Sequence, residues 1–290
     1  MSEIILPTNS NIYITFQKLA ADRQMVFLAG LPGAGKSLLI QQLVLLAQQA
    51  GRTVDLLQWD LARAPFETAV LLQKYPEIDG VTHPAIRKAV GLWARTAVHH
   101  WHTHQQNSNR LLIGETPLIG NRLIELVQAT NDVIEAGLRS AQTLFVVPVP
   151  STSVRRHIEA AREQSIANPQ HKNESDDAPP NVLHAIWQEV ARLGQQLQPI
   201  QKSDFSEKSD FSAYDPGVYT AVYQHLLQHR HHHILPINTL LKPSGSVYDL
   251  HLSGAKLAAT PDEVTQIMKQ IETEFTGDAL ETAVANWYKL

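Results

Sequence analysis

The 290-residue chain contains no cysteine. Disulfides, thiolate metal sites and cysteine nucleophiles are therefore impossible, and a secreted disulfide scaffold is excluded. Charge is sparse and slightly acidic: 24 Lys and Arg stand against 28 Asp and Glu, a net charge of -4 with His neutral. Such a surface offers no overall positive field for nucleic acid or anionic lipid, so neither nucleic acid nor a membrane is an expected partner. No apolar stretch approaches the roughly 20 residues of a membrane span, and the opening MSEIILPTNSN lacks the basic flank and apolar run of a signal peptide. The expectation is a cytoplasmic protein. With 43% hydrophobic residues the chain can bury a sizeable core, as one large α/β domain or two small ones.

Hydrophobic patterning then supplies the elements. A short helix is expected around Ile12 to Ala20, and the apolar run Met25 to Ala29 reads as a buried strand ending at Gly30. The apolar segment Leu38 to Ala50 stops at Gly51 as a helix would, and Thr53 to Leu57 reads as a second strand. From Pro84, residues Ile86, Val90, Trp93, Ala97 and Trp101 recur at spacings of three and four, the stripe of a long helix. A third strand is expected at Leu111 to Ile113, a helix at Ile119 to Val127, and a fourth strand at Thr143 to Val147 closed by Pro148. Helices at Val154 to Ala167 and Val182 to Leu197 flank Asn168 to Asn181, which is polar, charged and proline-rich and reads as a mobile loop. The pentamer KSDFS occurs twice, from Lys202 and from Lys208, in a further expected loop; it is too short to signal a repeat architecture. A helix at Val218 to Gln228, a fifth strand at Ile234 to Ile237 and a helix opened by the Thr260/Glu263 capping box complete the chain. Alternating strands and helices imply a mainly parallel sheet covered on both faces.

One segment carries explicit chemistry. Gly30-Leu31-Pro32-Gly33-Ala34-Gly35-Lys36-Ser37 matches GxxxxGKS in full, directly after a predicted strand and directly before a predicted helix. In a P-loop of this kind the glycines let backbone N–H groups surround phosphate oxygens. The helix N-terminus adds positive potential, Lys36 reaches the β and γ phosphates, and the Ser37 hydroxyl is a magnesium ligand. ATP or GTP with Mg2+ is the implied ligand. A guanine-reading NKxD is absent, Thr130-Asn131-Asp132 lacking the lysine; Leu252-Ser253-Gly254-Ala255-Lys256 only echoes the ABC signature. Strand three ends Leu111-Leu112-Ile113-Gly114-Glu115, without the Asp-Glu pair of AAA-type motors.

Carrying GLPGAGKS, the sequence resembles the adenylate-kinase-like P-loop kinases, a group that includes nucleoside kinases, chloramphenicol phosphotransferase and zeta-toxin-type kinases. The resemblance implies a three-layer P-loop NTPase fold with a five-stranded, mainly parallel sheet, one domain over residues 1–290 and a helical lid inserted at about 151–213. It implies a base after the second strand, where Trp59-Asp60-Leu61-Ala62-Arg63 stands, with His83-Pro84 before the long helix in similar placement. Gly114-Glu115-Thr116-Pro117 with Arg122 beyond looks like the Glu-Arg-Ser segment of nucleoside kinases, although no Arg directly follows the Glu. Arg155, Arg156 and Arg162 stand where such kinases carry lid arginines, Arg155 and Arg162 being favoured. Lys242 to Ser246 stands where a loop touches the base.

Plain alternatives accompany each residue. Asp60 can serve as a turn or cap, the arginines can form a solvated face with Glu159 and Glu163, and the His99–His104 and His229–His233 clusters lack the carboxylates of a recognised metal site. Trp93, Trp101 and Trp187 read as core, and Trp59 as a side chain able to stack on a substrate. The expected function is transfer of the γ-phosphate of ATP to a small-molecule hydroxyl by a monomer or homodimer. Lys36, Arg155 and Arg162 would compensate charge and Asp60 or Glu115 would orient the acceptor. A partner-controlled NTPase switch, with Glu115 polarising water, and a nucleotide binder without chemistry are the alternatives.

Overall fold

The computed structural model describes residues 3–78, 80–105, 108–175, 177–197, 213–243, 245–276 and 278–289. In chain order its elements are α1 (Asn11–Asp22), β1 (Met25–Ala29), α2 (Lys36–Gln49), β2 (Thr53–Gln58), α3 (Trp59–Arg63), α4 (Ala69–Lys74) and α5 (Pro84–Gln105). They continue with β3 (Arg110–Thr116), α6 (Glu135–Leu138), β4 (Thr143–Pro150), α7 (Thr152–Ala167), α8 (Lys172–Ser175) and α9 (Pro180–Leu197). Last come α10 (Pro216–Leu226), β5 (His232–Ile237), α11 (Pro261–Glu274) and α12 (Ala279–Ala285). The five strands form one sheet in the order β2-β3-β1-β4-β5, and every pairing is parallel.

Strand β1 is buried throughout because it is central, and its side chains alternate between two cores. Met25, Phe27 and Ala29 face the cluster that holds Trp93 of α5, Trp187 of α9, Tyr219 of α10 and Met268 of α11. Val26 and Leu28 face the opposite cluster, with Phe16 of α1 and Leu43 of α2. Phe27 stacks on Phe145 of β4 at 4.8 Å between ring centroids. Helices thus cover both faces, as the alternating element order implied. Among the described residues no helix is long and apolar enough to cross a membrane.

Four local expectations change. Ile119 to Val127 is not a helix but a buried turn followed by a short 3-10 segment, Ile124–Leu126, because Leu118, Asn121 and Leu123 all have positive φ. Its apolar residues are buried as a helix face would be, so periodicity misread a packed turn. Strand β4 runs through Pro148 to Pro150. The Phe145 N–H bonds to His231 O and the Ser151 N–H to Ile237 O, so odd-numbered amides face β5 and the missing amides of Pro148 and Pro150 face β1's side, where pairing ends at Leu28–Val146. No ladder bond is lost. In Asn168 to Asn181, α8 and its flanks are tied down by carboxylates: Glu174 accepts the N–H groups of Gln170 (2.6 Å) and His171 (3.2 Å) and the Ser246 hydroxyl (2.6 Å). Finally, Trp59 is buried in the larger core rather than presented for stacking. The KSDFS pair lies outside the described residues.

The β2 edge is fastened by Asp55. Its carboxylate accepts Arg110 Nε (2.7 Å), Trp101 Nε1 (2.8 Å) and the Ala255 N–H (2.6 Å). Burial alone would raise the Asp55 pKa, but these donors outweigh it and hold the carboxyl below its ordinary value. Its stabilisation is complete above the unfolded-state pKa and disappears as pH falls through the folded one. Asp55→Asn should cost about 2–4 kcal/mol at pH 7, because a buried anion with three donors is lost. It should also flatten the fall in stability below about pH 4; an unchanged acid limb in urea titrations would contradict this.

Candidate functional site

At the carboxyl end of β1 the chain must turn sharply to enter α2, and Gly30 to Gly35 make that turn. Gly33 and Gly35 have φ of 76° and 81°, left-handed values that side chains resist, and Gly35 is the N-cap of α2. Gly30 is fixed by proximity: a Cβ there would lie 2.6 Å from the Tyr219 hydroxyl. That hydroxyl accepts the Leu31 N–H at 3.3 Å, so α10 supports the turn from below. Tyr219 was not singled out in the sequence, and no local signal marks it, because it is 188 residues from its partner.

Lys36, first residue of α2, is only 5% exposed. Its ammonium donates to Leu31 O at 3.0 Å across the loop and lies 3.5 Å from Glu115 Oε1. Burial lowers its pKa, Glu115 opposes that and the charge of Arg162 adds to it. Glu115 stands opposite Leu28 in the sheet register, at the carboxyl edge of β3, and its second oxygen accepts Gln58 Nε2 at 3.2 Å. Gln58, at the end of β2, is a site residue that sequence patterning passed over. Ser37 is half-buried in the first turn of α2.

The other expected residues separate. Asp60 lies in the first turn of α3 with its side chain 75% exposed; it accepts Arg63 Nε at 3.1 Å and makes no cap. It contributes to the field at Lys36. Arg155 is buried against the loop: Nε donates to Glu159 (2.7 Å), Nη2 reaches Pro32 O at 3.5 Å, and the guanidinium lies 4.6 Å over the Tyr214 ring. Its Nη1 is buried without a partner. Arg162 pairs with Asp177 and donates to Ala178 O at 3.2 Å. The Tyr248 hydroxyl donates to the same Asp177 oxygen at 2.6 Å. Arg156 is exposed. Lys36 and Glu115 therefore meet, Arg162 is held by Asp177 and reaches Lys36 only through its charge, Arg155 braces the loop, and Asp60 stands at the solvent side. Ser246, at the end of the expected base-contacting loop, is committed to Glu174.

The histidines have ordinary roles. His83 Nδ1 accepts the Ala85 N–H at 3.1 Å at the start of α5, and the rings of His100 and His104 lie tilted against each other with centroids 4.0 Å apart. Among the described residues no three His, Asp or Glu side chains converge as metal ligands would. The chain matches no protein-family model and no curated protein.

The Gly30–Tyr219 contact is directly testable. Gly30→Ala should destabilise the protein by about 1–3 kcal/mol through overpacking. In a Tyr219→Phe background the same substitution should cost clearly less, because the clashing oxygen is gone. Additive effects in the double-mutant cycle would show that the two residues do not meet.

Proposed function

We propose that this protein binds Mg2+-ATP or Mg2+-GTP on the Gly30–Ser37 loop and transfers the γ-phosphoryl group to a hydroxyl of a small molecule. The observation that carries the reading is Lys36. It is a buried ammonium at the head of a helix, spanning a loop of left-handed glycines and facing a carboxylate on the adjacent strand. The loop lies where chain connections leave the sheet in opposite directions, towards β2 from β1 and towards β5 from β4. Open α/β sheets bind ligands at such points, outside the carboxyl ends of their strands.

Each role follows from chemistry. The loop amides and the N-terminus of α2 would receive the phosphates, and Lys36 would exchange Leu31 O for phosphate oxygen. The Ser37 hydroxyl and the Glu115 carboxylate are hard oxygen donors of the kind Mg2+ prefers, and that ion, when bound, would neutralise charge on the β and γ oxygens. Arg162, whose charge is already felt at Lys36, would stabilise the charge of the transferring group. Arg155 is better placed to position the loop than to touch phosphate. Asp60 or Glu115 would accept or orient the acceptor proton; the exposed Asp60 suits a substrate that arrives from solvent. Helices α7 to α9, within the expected insertion at about 151–213, would act as the lid, excluding water so that the acceptor rather than water takes the phosphoryl group.

Lys36→Ala should weaken ATP binding at least about 100-fold, about 2.7 kcal/mol, in calorimetry with Mg2+; undiminished binding by a folded variant would refute the nucleotide site. Glu115→Gln should lower turnover about 100-fold while nucleotide affinity changes little. ATP consumption should rise on addition of the correct hydroxyl compound. Stimulation by a protein partner, with none by a panel of nucleosides, sugars and sugar nucleotides, would favour the partner-controlled NTPase instead.

A further inference from the structure

Strand register brings three side chains into one row at the carboxyl edge of the sheet. Gln58, the last residue of β2, stands opposite Glu115 of β3, and Glu115 stands opposite Leu28 of β1. Side chains in one row share a face. Leu28 lies in the core cluster that holds Leu43 of α2, so the row faces α2, whose first residue is Lys36.

Gln58 also precedes α3, in the extended backbone of a helix cap, with φ of -128° and ψ of 144°. Its side chain makes no cap bond. The amide crosses to β3 instead and donates Nε2 to Glu115 Oε2 at 3.2 Å. Glu115 Oε1 lies 3.5 Å from the Lys36 ammonium, which donates to Leu31 O at 3.0 Å. The two oxygens of one carboxylate therefore have different partners: a neutral amide from the sheet, and a cation that the glycine loop shares. With the Glu115 side chain 18% exposed and that of Lys36 5%, little water competes for either contact.

These partners respond differently to an anion on the loop. A lysine drawn to a phosphate oxygen relaxes its hold on Oε1, and a carboxylate held by that cation alone would follow it. Gln58 does not move with α2, because it ends a strand paired in register with β3. Its amide is also uncharged. A lysine or arginine in its place would neutralise the carboxylate as well as orient it, whereas an amide donor orients it and leaves its full negative charge.

We infer that Gln58 is the positioning residue of Glu115: it fixes Oε2, so that Oε1 is the oxygen turned to the phosphoryl group once Lys36 has let it go. This rests on the phosphotransferase reading for the ligand that draws Lys36 away; the brace between the strands stands on the register and the hydrogen bond. Gln58 touches neither nucleotide nor acceptor in this role and acts through Glu115.

The test is hydrolysis of Mg2+-ATP without acceptor, together with calorimetric nucleotide affinity, in wild type, Gln58→Leu, Glu115→Gln and the double variant. Gln58→Leu should lower turnover about tenfold while nucleotide affinity changes less than about threefold. In the Glu115→Gln background the same substitution should change turnover less than about twofold, since its route of action is gone. Gln58→Lys should also lower turnover, because its charge neutralises the carboxylate that it holds. Should Gln58→Leu fail to fold, Gln58→Met, which keeps the length of the side chain and removes the donor, takes its place. An unchanged rate in Gln58→Leu, or a loss as large in Glu115→Gln as in wild type, overturns the inference. If the wild type binds no nucleotide, the proposed function falls by itself. In that case, or where nucleotide binds without hydrolysis, urea unfolding decides the brace: the coupling between Lys36→Met and Glu115→Gln should drop by at least half in Gln58→Leu. Coupling indifferent to Gln58→Leu overturns the inference.

Discussion

A lysine ammonium buried at the junction of a strand, a loop and a helix constrains everything around it. Lys36 loses its hydration where α2 begins and must be met by oxygens from the protein. Leu31 O and Glu115 supply them. The first requires the loop to curl back over its own helix, which the left-handed backbone at Gly33 and Gly35 permits. The second requires β3 to lie beside β1 with Glu115 at its carboxyl edge, which the Leu28–Glu115 register provides. Once β1 and β3 are neighbours, β2 pairs with the outer edge of β3, and β4 and β5 extend the sheet on the other side of β1. Placing β1 at the centre also buries it on both faces, so the geometry around one cation and the hydrophobic division into two cores are satisfied by the same arrangement.

A second tier of contacts fixes the helices that follow β4 relative to that loop. Tyr214, Tyr219 and Tyr223 form a column with successive ring centroids 5.7 and 4.7 Å apart. Tyr219 touches the loop, Tyr223 donates to Pro117 O at 2.8 Å, and Tyr214 lies under Arg155. Arg155 reaches the loop again through Pro32 O. The loop, the turn after β3 and α7 therefore share one aromatic support. Further out, Asp177 and Glu174 receive Tyr248 and Ser246 from the segment after β5. Those are polar contacts, weaker per unit area than core burial, and they join chain segments about 70 residues apart. They add to the apolar packing of α9, whose Trp187, Val190 and Leu193 lie in the larger core.

What sequence could reveal depended on whether the information was local. Met25–Ala29 was legible to the residue because a strand buried on both faces is an uninterrupted apolar run. The Thr260/Glu263 capping box formed as read, since both of its hydrogen bonds close within one turn. GxxxxGKS foretold a turn after a strand and the N-terminus of a helix, and both are present. Pro148 misled because a proline closes a strand only where its missing amide would have paired, and that depends on the length of β1. The Leu118–Leu123 turn misled more deeply: leucines and isoleucines at helical spacing were buried by neighbours, with left-handed backbone that no propensity scale expects of Leu. Tyr219, Gln58 and the Arg162–Asp177–Tyr248 chain were illegible because their partners are brought to them by the fold.

The same distinction governs charge. A net charge of -4 over 290 residues excludes a broad positive face, yet it says nothing about the carboxyl edge of the sheet. There Lys36, Arg63, Arg87, Arg122, Arg155 and Arg162 all come from segments bordering the ends of β1 to β4 or the first turns of α5. Their partners are unequal. Arg63 has both Asp60 and Glu67, and Arg162 has Asp177. Arg155 keeps one buried nitrogen without a partner, and so does Arg87. Unmet donors on buried cations cost stability, and folding alone gives no reason to keep two of them at one edge of one sheet. That cost falls beside the Gly30–Gly35 loop at Arg155, which reaches Pro32 O, and beside the Leu118–Leu123 turn at Arg87, which donates to Gly120 O.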